Sequence, residues 1–326
     1  MKFENELIEL LDQAPSEVSG GKAAVTAGEL FRSDAWRNES EELPLMIGEG
    51  MDGKIFTLDL ATAMDLLIAG RIGSGKSAFM DLCLFSLMLR HTPKELKLIL
   101  VDSKILEFNK YRDLPYLQFP VITNTRDTLK VLHWLNTEMV RRQQLLAEAN
   151  CREIRDLNAQ KANSLPYIVI FIDDLADAML KERTIMEHLL ESLSGAGRPL
   201  GIHFVISTQR PDSKVLTRGI KSTFFTRIAF QVPSATNSRT ILDCEGAEQL
   251  RGRGDMLCKF FSELRRIQGG FINQLECTRI LERIRSIYKD FEVQMTAPLP
   301  ELEEIDDDIV IIDGDIVIID GDEESE

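Results

Sequence analysis

The chain of 326 residues has few cysteines and no long apolar run, and both shortages restrict what it can be. Its five cysteines are Cys83, Cys151, Cys244, Cys258 and Cys277. No pair has the spacing of two to four residues that is typical of zinc and redox motifs. The longest apolar stretches, such as YIVIFI, are far shorter than the ~20 residues that span a bilayer. We therefore expect reduced thiols, no membrane segment in this chain and a cytoplasmic location.

Basic residues are absent from the end of the chain. Lys289 is the last of them, and 15 acidic residues follow it. The part of the chain up to that point holds 38 acidic and 38 basic residues, so the formal net charge of −15 belongs entirely to the tail. Bulk charge therefore neither favours nor excludes a nucleic-acid partner, and any basic surface must be local.

The rest of the composition is that of a globular protein. Hydrophobic residues make up 44% of the chain and charged residues 28%, which excludes a disordered chain or a disulfide-stapled miniprotein. Residues 1–45 are polar and contain the loose stretch SEVSGGKAA, which predicts an N-terminal appendage or linker. We expect one globular domain over residues 46–291 and an acidic tail without fixed structure over residues 292–326.

Strands and helices alternate from about Met46 onward. Apolar runs predict strands at MDLLIAG, LKLILVD, PYIVIFIDD, IHFVIST and TRIAFQV. Helical periodicity or a helix-start signal predicts helices near residues 77–90, 125–149, 186–193 and 273–291. DMLCKF and RRIQGGF predict a closing hairpin. Alternation of this kind predicts an α/β fold with a mainly parallel sheet and helices on both faces.

The strongest motif is GRIGSGKS, which fits the phosphate-binding pattern G-x-x-x-x-G-K-[ST] between a strand and a helix. Glycines let backbone N–H groups turn toward phosphates, and the helix N-terminus adds positive potential. We expect Lys76 to reach the β- and γ-phosphates of ATP and Ser77 to ligate Mg²⁺. The predicted nucleotide-binding residues are Gly70, Arg71, Ile72, Gly73, Ser74, Gly75, Lys76 and Ser77.

Two further strands end in polar residues. The apolar strand IVIFI leads into Asp173 and Asp174, the pattern of a Walker B motif. We expect Asp173 to hold Mg²⁺ through water and Asp174 to polarise the attacking water. Gln209 follows the strand HFVIST and is a candidate sensor of the γ-phosphate. The alternatives are two ordinary acidic turn residues and a polar strand-end cap.

Taken together, these stretches resemble the motor domain of the FtsK/SpoIIIE family of double-stranded DNA translocases. The resemblance covers about four-fifths of the chain, in the family's order and with near-family spacing. The matching stretches are LLIAGRIGSGKS, PYIVIFIDDLADAML, GIHFVISTQRP, TRIAF, NSRTILD with GAE, and GRGDML. The resemblance implies a RecA-like P-loop ATPase that forms a hexameric ring around duplex DNA and binds ATP between neighbouring subunits.

The resemblance also implies roles for single residues. Arg198 aligns with the family's arginine finger, which would enter the neighbouring subunit's site and neutralise charge on the transferred phosphoryl group. Arg210, Lys221 and Arg239 align with pore-loop residues that contact DNA. Residues 198–266 hold 12 basic and 6 acidic residues, which favours a local basic surface for phosphate contacts.

The chain departs from the family pattern at Asp174, where relatives typically carry glutamate. Aspartate withdraws the carboxylate by about 1.5 Å, and an error of about 1 Å can cost on the order of a hundredfold in rate. One alternative function is therefore a weakly hydrolysing, nucleotide-dependent DNA clamp or scaffold. Another is a protein-translocating ATPase of the secretion type. In a second departure, Ser103 and Lys104 follow Asp102 where the family often reads Asp-Pro-Lys.

The tail contains the heptapeptide DIVIIDG twice in direct succession, at residues 308–314 and 315–321. Short apolar strands flanked by acids are typical of peptides that dock on a sheet edge, so the tail is a candidate site for a protein partner. The same composition also suits a solubilising segment without structure. A third possibility is a polyanion that covers the basic pore when no DNA is present.

Overall fold

The computed structural model describes residues 3–12, 25–37, 40–160, 164–289 and 297–300, with two strand segments at 309–312 and 315–318. Its helices are α1 (Glu4–Glu9), α2 (Ala27–Phe31), α3 (Lys76–Arg90), α4 (Thr125–Glu148), α5 (Ile154–Ala159), α6 (Ala176–Lys181), α7 (Arg183–Gly197), α8 (Arg218–Thr223), α9 (Ala235–Leu242) and α10 (Gln274–Ile287). Its strands are β1 (Pro44–Gly50), β2 (Ile55–Asp59), β3 (Leu66–Ala69), β4 (Leu96–Asp102), β5 (Tyr167–Asp173), β6 (Ile202–Thr208), β7 (Thr226–Phe230), β8 (Asp255–Phe260), β9 (Glu263–Gln268), β10 (Ile309–Ile312) and β11 (Asp315–Ile318).

Strands β1 to β9 form one mixed sheet in the order β2-β1-β9-β8-β7-β3-β6-β5-β4. The five strands from β7 to β4 in this order are parallel, whereas β8, β9, β1 and β2 extend the sheet as antiparallel neighbours. The predicted α/β, RecA-like fold is confirmed, and β8 and β9 form the expected hairpin. The antiparallel part is larger than predicted because β1 and β2 pair beyond that hairpin.

Helices cover both faces of the sheet. Every residue of β5 is buried, as expected for a strand made of a continuous apolar run. One apolar cluster joins the sheet to α1, α2, α3 and α10, and a second joins it to α4, α6, α7, α8 and α9. The carboxyl ends of the parallel strands meet at one edge between these two layers, which is where ligands bind in sheets of this type.

The described N-terminal residues pack on the body of the fold. Leu7, Ile8 and Leu11 are buried in the same cluster as α3 and α10. The Arg90 guanidinium lies 4.6 Å from the centroid of the Trp36 ring, which is also buried. The stretch SEVSGGKAA lies outside the described residues. The predicted domain limits at residues 45 and 291 stay a prediction, with these helices packed as part of the core.

The two copies of the tail repeat each contribute one strand. β10 and β11 pair antiparallel, with Ile309 opposite Ile318 and Ile312 opposite Asp315. Upstream of them, the Ala297 N–H donates to the Gln118 carbonyl at 3.0 Å. The rest of the tail lies outside the described residues, where the absence of fixed structure stays a prediction. In the described part of the chain, none of the helices combines the length and the apolar character needed to cross a bilayer.

Candidate nucleotide-binding site

The glycine-rich stretch GRIGSGKS connects β3 to α3 at the carboxyl edge of the sheet. Gly75 has a φ of 113°, a left-handed conformation. A Cβ atom there would lie 2.5 Å from the Gly254 nitrogen, so both the backbone and the space require glycine. The Gly254 N–H donates to the Ser74 carbonyl at 2.9 Å. The stretch GRGDML therefore packs against the phosphate-binding loop and is hydrogen-bonded to it, although the two are far apart in sequence.

Lys76 is the buried cation of this loop. Its side chain folds over the loop, and its Nζ donates to the Arg71 carbonyl at 3.3 Å. Burial lowers the pKa of Lys76, while the nearby carboxylates of Asp173 and Asp174 oppose that shift. A partly desolvated ammonium of this kind gains from an added anion, because an opposite charge favours its charged form. Lys76 is therefore placed to bind phosphate.

The remaining loop residues form its rim. The Arg71 side chain points to the strand β7 side, where its Nε donates to Gln231 Oε1 at 3.0 Å. The Ile72 side chain is 80% exposed. Gly73 has a φ of 75°. These residues leave the centre of the loop to backbone N–H groups and to Lys76, as in a cradle for phosphates.

Two carboxylates lie at the end of β5, which is separated from β3 by the strand β6. Ser207 of the intervening β6 donates its hydroxyl to Asp173 Oδ1 at 2.6 Å and accepts the Asp174 N–H at 3.3 Å. Burial raises the pKa of Asp173, and the charges of Glu107, Asp102 and Asp174 raise it further against the Ser207 hydrogen bond. A divalent cation would relieve this concentration of negative charge.

The Asp174 side chain, directly after β5, contacts groups at the end of β6 and Lys104 of the loop after β4. Its backbone is in a left-handed conformation with a φ of 55°, and the residue is 7% exposed. Its Oδ1 accepts the Gln209 N–H at 3.2 Å and the Thr208 hydroxyl at 3.4 Å. Its Oδ2 forms an ion pair with Lys104. The structure thus brings Gln209 to Asp174 through its backbone N–H.

The loop that follows β4 also belongs to the site, although the sequence motifs did not predict it. The buried Asp102 carboxylate accepts three backbone N–H groups from residues 104–108, at 2.8 to 3.2 Å. Glu107 in turn accepts the Ser77 hydroxyl at 2.7 Å. The signal for this loop was present in the sequence. The apolar run LKLILV ends at Asp102, as IVIFI ends at Asp173, and the carboxyl ends of parallel strands lie at the same edge of a sheet. The structure pairs these two aspartates in register.

The oxygen donors at this edge fit Mg²⁺ that binds together with a nucleotide. Ser77 and Asp173 offer a hydroxyl and a carboxylate, the hard oxygen ligands that Mg²⁺ prefers. Within the described ranges, no group of three or more His, Cys, Asp or Glu side chains could hold a metal ion alone. Mg²⁺ usually keeps several waters and is bound by one or two carboxylates plus substrate phosphates. The donor set matches that arrangement.

Arg198 lies at the opposite end of β6 from the nucleotide loop. It directly precedes the turn that leads into Ile202, whereas the loop residues lie beyond Thr208. A seven-residue strand is about 23 Å long, so Arg198 and Lys76 of one chain are far apart. The Arg198 side chain is exposed and makes no hydrogen bond or ion pair with the described residues. Its charge acts on the buried Asp65 and His203 of the same chain, and its exposed side chain is accessible to another molecule.

The predicted DNA-contacting residues lie around α8 and α9. Lys221 and Arg239 line one open groove of about 630 Å³. Each has an acidic partner: Lys221 Nζ lies 3.1 Å from Asp243 Oδ1, and Arg239 pairs with Glu245. Arg210 is exposed and lies outside this groove, just after the end of β6. The structure therefore brings two of the three residues together.

Comparison with known sequences matches residues 28–213 to the FtsK/SpoIIIE family. The DNA translocase FtsK of Clostridium acetobutylicum is 40% identical over 270 residues, which are 81% of this chain and 35% of that protein. The DNA translocase SftA of Bacillus subtilis is 37% identical over 265 residues, or 79% and 28% of the two chains. This chain thus spans about a third of the length of these relatives.

Solved structures show the same architecture. The cytoplasmic domain of the type VII secretion ATPase EccC of Thermomonospora curvata matches with a TM-score of 0.68 at 25% identity, over 81% of this chain and 34% of that one. The pCW3 conjugation coupling protein TcpA, solved with ATPγS, also matches with a TM-score of 0.68 at 25% identity, over 78% and 73% of the two chains. The fold described above is therefore that of P-loop ATPases.

Proposed function

Because the chain belongs to the FtsK/SpoIIIE family, we propose that it is an ATP-driven motor that moves along double-stranded DNA. The observation that carries this proposal is the meeting of Lys76, Ser77, Asp173 and Asp174 at one edge of the sheet. The names of the relatives supply the substrate, since they are DNA translocases. ATP and Mg²⁺ are the proposed cofactors, and the proposed location is the cytoplasm.

The side chains divide the chemistry among them. Lys76 would bind the β- and γ-phosphates, and the backbone N–H groups of the loop would hold the rest of the phosphate chain. Asp174 would orient and polarise the attacking water. Gln209, directly after the end of the neighbouring β6, would sense the γ-phosphate. Mg²⁺, held by Ser77 and through water by Asp173, would neutralise charge on the phosphates.

The position of Arg198 supports a ring assembly. Because Arg198 is far from Lys76 of the same chain, it could act as an arginine finger only in a neighbouring subunit. A closed ring, which we propose to be a hexamer, gives every subunit one neighbour that donates a finger and one that receives it. Arg210, Lys221 and Arg239 would contact DNA phosphates, and DNA would have to displace Asp243 and Glu245 from the last two.

The test of this function is ATP hydrolysis with and without duplex DNA. We expect wild-type turnover to rise when DNA is added, and Lys76→Ala to abolish turnover and weaken ATP binding while the fold is kept. Lys54→Ala is the matched control, because Lys54 is exposed and lies in a surface turn. Unchanged turnover in Lys76→Ala would disprove the site. Turnover that does not change when DNA is added would disprove the DNA motor, and it would favour a protein substrate if the chain also fails to bind DNA in the presence of ATP.

A second function is supported by one specific observation. Asp174 is shorter than the glutamate of the family, and it is ion-paired with Lys104. A short carboxylate that is ion-paired polarises water poorly, so ATP hydrolysis would be slow. Slow hydrolysis is the property expected of a nucleotide-dependent DNA clamp or scaffold. A clamp would hold DNA when ATP is present and show the same slow turnover with and without DNA. A motor would show turnover that rises with DNA length until the ring is saturated.

A further inference from the structure

The two oxygens of the Asp174 carboxylate are held in different ways. Oδ1 accepts the Gln209 N–H and the Thr208 hydroxyl, which lie at or directly after the end of β6; that hydroxyl also lies 3.4 Å from the Arg210 carbonyl. Oδ2 is bound by Lys104 instead. Removing Lys104 from this contact would leave Asp174 in place, because the contacts of Oδ1 remain. Lys104 therefore binds Oδ2, the carboxylate oxygen that would otherwise accept a hydrogen bond from the attacking water.

The Lys104 side chain is exposed to solvent, unlike that of Asp174. The exposed fractions of these two side chains are 41% and 7%. The lysine side chain is a flexible four-carbon stem that ends in a compact charge. The next residue, Ile105, has a φ of 58°, which is strained for a β-branched residue. The Lys104 segment is therefore suited to a second arrangement.

The loop that carries Lys104 is also attached to the phosphate-binding loop. The Asp102 carboxylate accepts the N–H groups of both Lys104 and Glu107, and Glu107 accepts the Ser77 hydroxyl. A carboxylate that accepts a hydroxyl group fixes the orientation of that hydroxyl. Glu107 thus keeps the loop next to the site while Lys104 changes partner.

We propose that Lys104 is a nucleotide-responsive switch that holds the Asp174 carboxylate in an ion pair and exchanges it for the γ-phosphate when ATP binds. This rests on the proposed function, in which Asp174 polarises the attacking water. The γ-phosphate carries more negative charge than one carboxylate, so it competes successfully for the ammonium group. ADP lacks that phosphate, and it leaves the ion pair intact. The carboxylate is thus released only when there is a phosphate to hydrolyse.

The first test measures nucleotide affinity, for which no turnover is needed. We expect Lys104→Met to weaken the binding of Mg²⁺-ATPγS several-fold, because the γ-phosphate contact that it removes is stronger than the ion pair that the wild-type protein must break. The affinity for Mg²⁺-ADP should stay unchanged. Lys181→Met is the matched control, because Lys181 forms an exposed ion pair with Asp177 only three residues beyond Asp174. Equal losses for ATPγS and ADP would overturn the switch.

The second test is a double-mutant cycle of thermal stability with Lys104→Met and Asp174→Asn. Without nucleotide, we expect the two substitutions to be non-additive, by about 2 °C or more in Tm. With saturating Mg²⁺-ATPγS, they should become additive, because the pair is then broken. Coupling that persists with ATPγS would show a permanent structural pair. Additivity under both conditions would show that the pair does not form, and each result would overturn the proposal.

These outcomes are distinct from a failure of the proposed function. If the wild-type protein binds neither nucleotide, the assignment of an ATP-driven motor is wrong. The cycle without nucleotide would still report the ion pair in that case. If the wild-type protein binds both nucleotides and Lys104→Met binds them like the wild type, the motor assignment stands and the switch is wrong.

Discussion

At the residue scale, the length of the Asp174 side chain determines the rate of the proposed ATP hydrolysis. The Asp174 carboxylate is drawn toward β6 by the Gln209 N–H and toward the β4 loop by Lys104. Glutamate at this position would carry the carboxylate about 1.5 Å further into the cleft. The left-handed backbone at Asp174 is tolerated better by Asp and Asn than by most residues. Asparagine therefore keeps the local backbone and removes only the charge.

The first residue-scale prediction concerns this position. Asp174→Asn should remove hydrolysis and retain nucleotide binding, because the carboxylate and not the backbone polarises water. Asp174→Glu should have a kcat at least equal to that of the wild type and up to about a hundredfold higher, since an error of about 1 Å can cost that much. Steady-state ATPase with duplex DNA measures both. A large loss in Asp174→Glu would mean that the site is built around aspartate.

At the element scale, the turn from α7 to β6 decides where Arg198 lies. Asp65, which is buried, accepts the hydroxyl of Ser194 before the turn and the Phe204 N–H after it, the latter at 2.7 Å. Arg142 of α4 donates to the Leu200 carbonyl in the turn itself, at 2.7 Å. The buried side chains of Asp65 and Arg142 therefore fix this short turn, while Arg198 at its start stays exposed.

A comparison of neighbouring arginines tests the role of this packing. Arg142 and Arg141 both pair with Glu138, but their side chains are 1% and 52% exposed. Arg142→Leu should lower the free energy of unfolding by about 3–5 kcal/mol, because it leaves buried carbonyls without a donor. Arg141→Leu should cost about 1 kcal/mol or less. Chemical denaturation measures both, and equal losses would contradict the role of Arg142 as a clamp of the turn.

At the scale of the whole molecule, the sheet separates the two halves of the proposed active site. Lys76 lies at the carboxyl edge, and Arg198 lies at the amino end of β6. A Lys76→Ala subunit still carries its finger, and an Arg198→Ala subunit still carries its nucleotide loop. Mixing the two inactive variants should therefore restore part of the ATPase activity at mixed interfaces. Full hydrolysis by a strictly monomeric preparation would refute the finger.

The distribution of charge gives a second prediction at this scale. The 15 acidic residues after Lys289 form a tethered polyanion, whereas the basic excess lies within residues 198–266. Removing residues 296–326 should tighten duplex binding most at low salt, where the Debye length exceeds ~10 Å. Affinity measured from about 50 to 200 mM salt tests this. Identical affinities of the two chains at every salt concentration would exclude inhibition by the tail and leave two roles for it, docking on a protein partner and solubilising the chain.

The local features of this protein follow from its sequence alone. The phosphate-binding loop, the apolar strand that ends at Asp173 and the helix predicted at residues 77–90 are each contained in one short continuous segment. Their chemistry depends on glycine positions, apolar periodicity and strand ends, which are all properties of neighbouring residues. For this reason the fold class and the nucleotide loop could be predicted before any contact was known.

The partners of these features were decided only by the tertiary structure. Lys104 meets Asp174, and Glu107 meets Ser77, because the strand order places the ends of β3, β6, β5 and β4 along one edge. Nothing local to either residue of such a pair indicates the other, since 70 positions separate Lys104 from Asp174. The same order puts Arg198 at the far end of its strand. Sequence spacing determines motifs, and the sheet determines which of them act together.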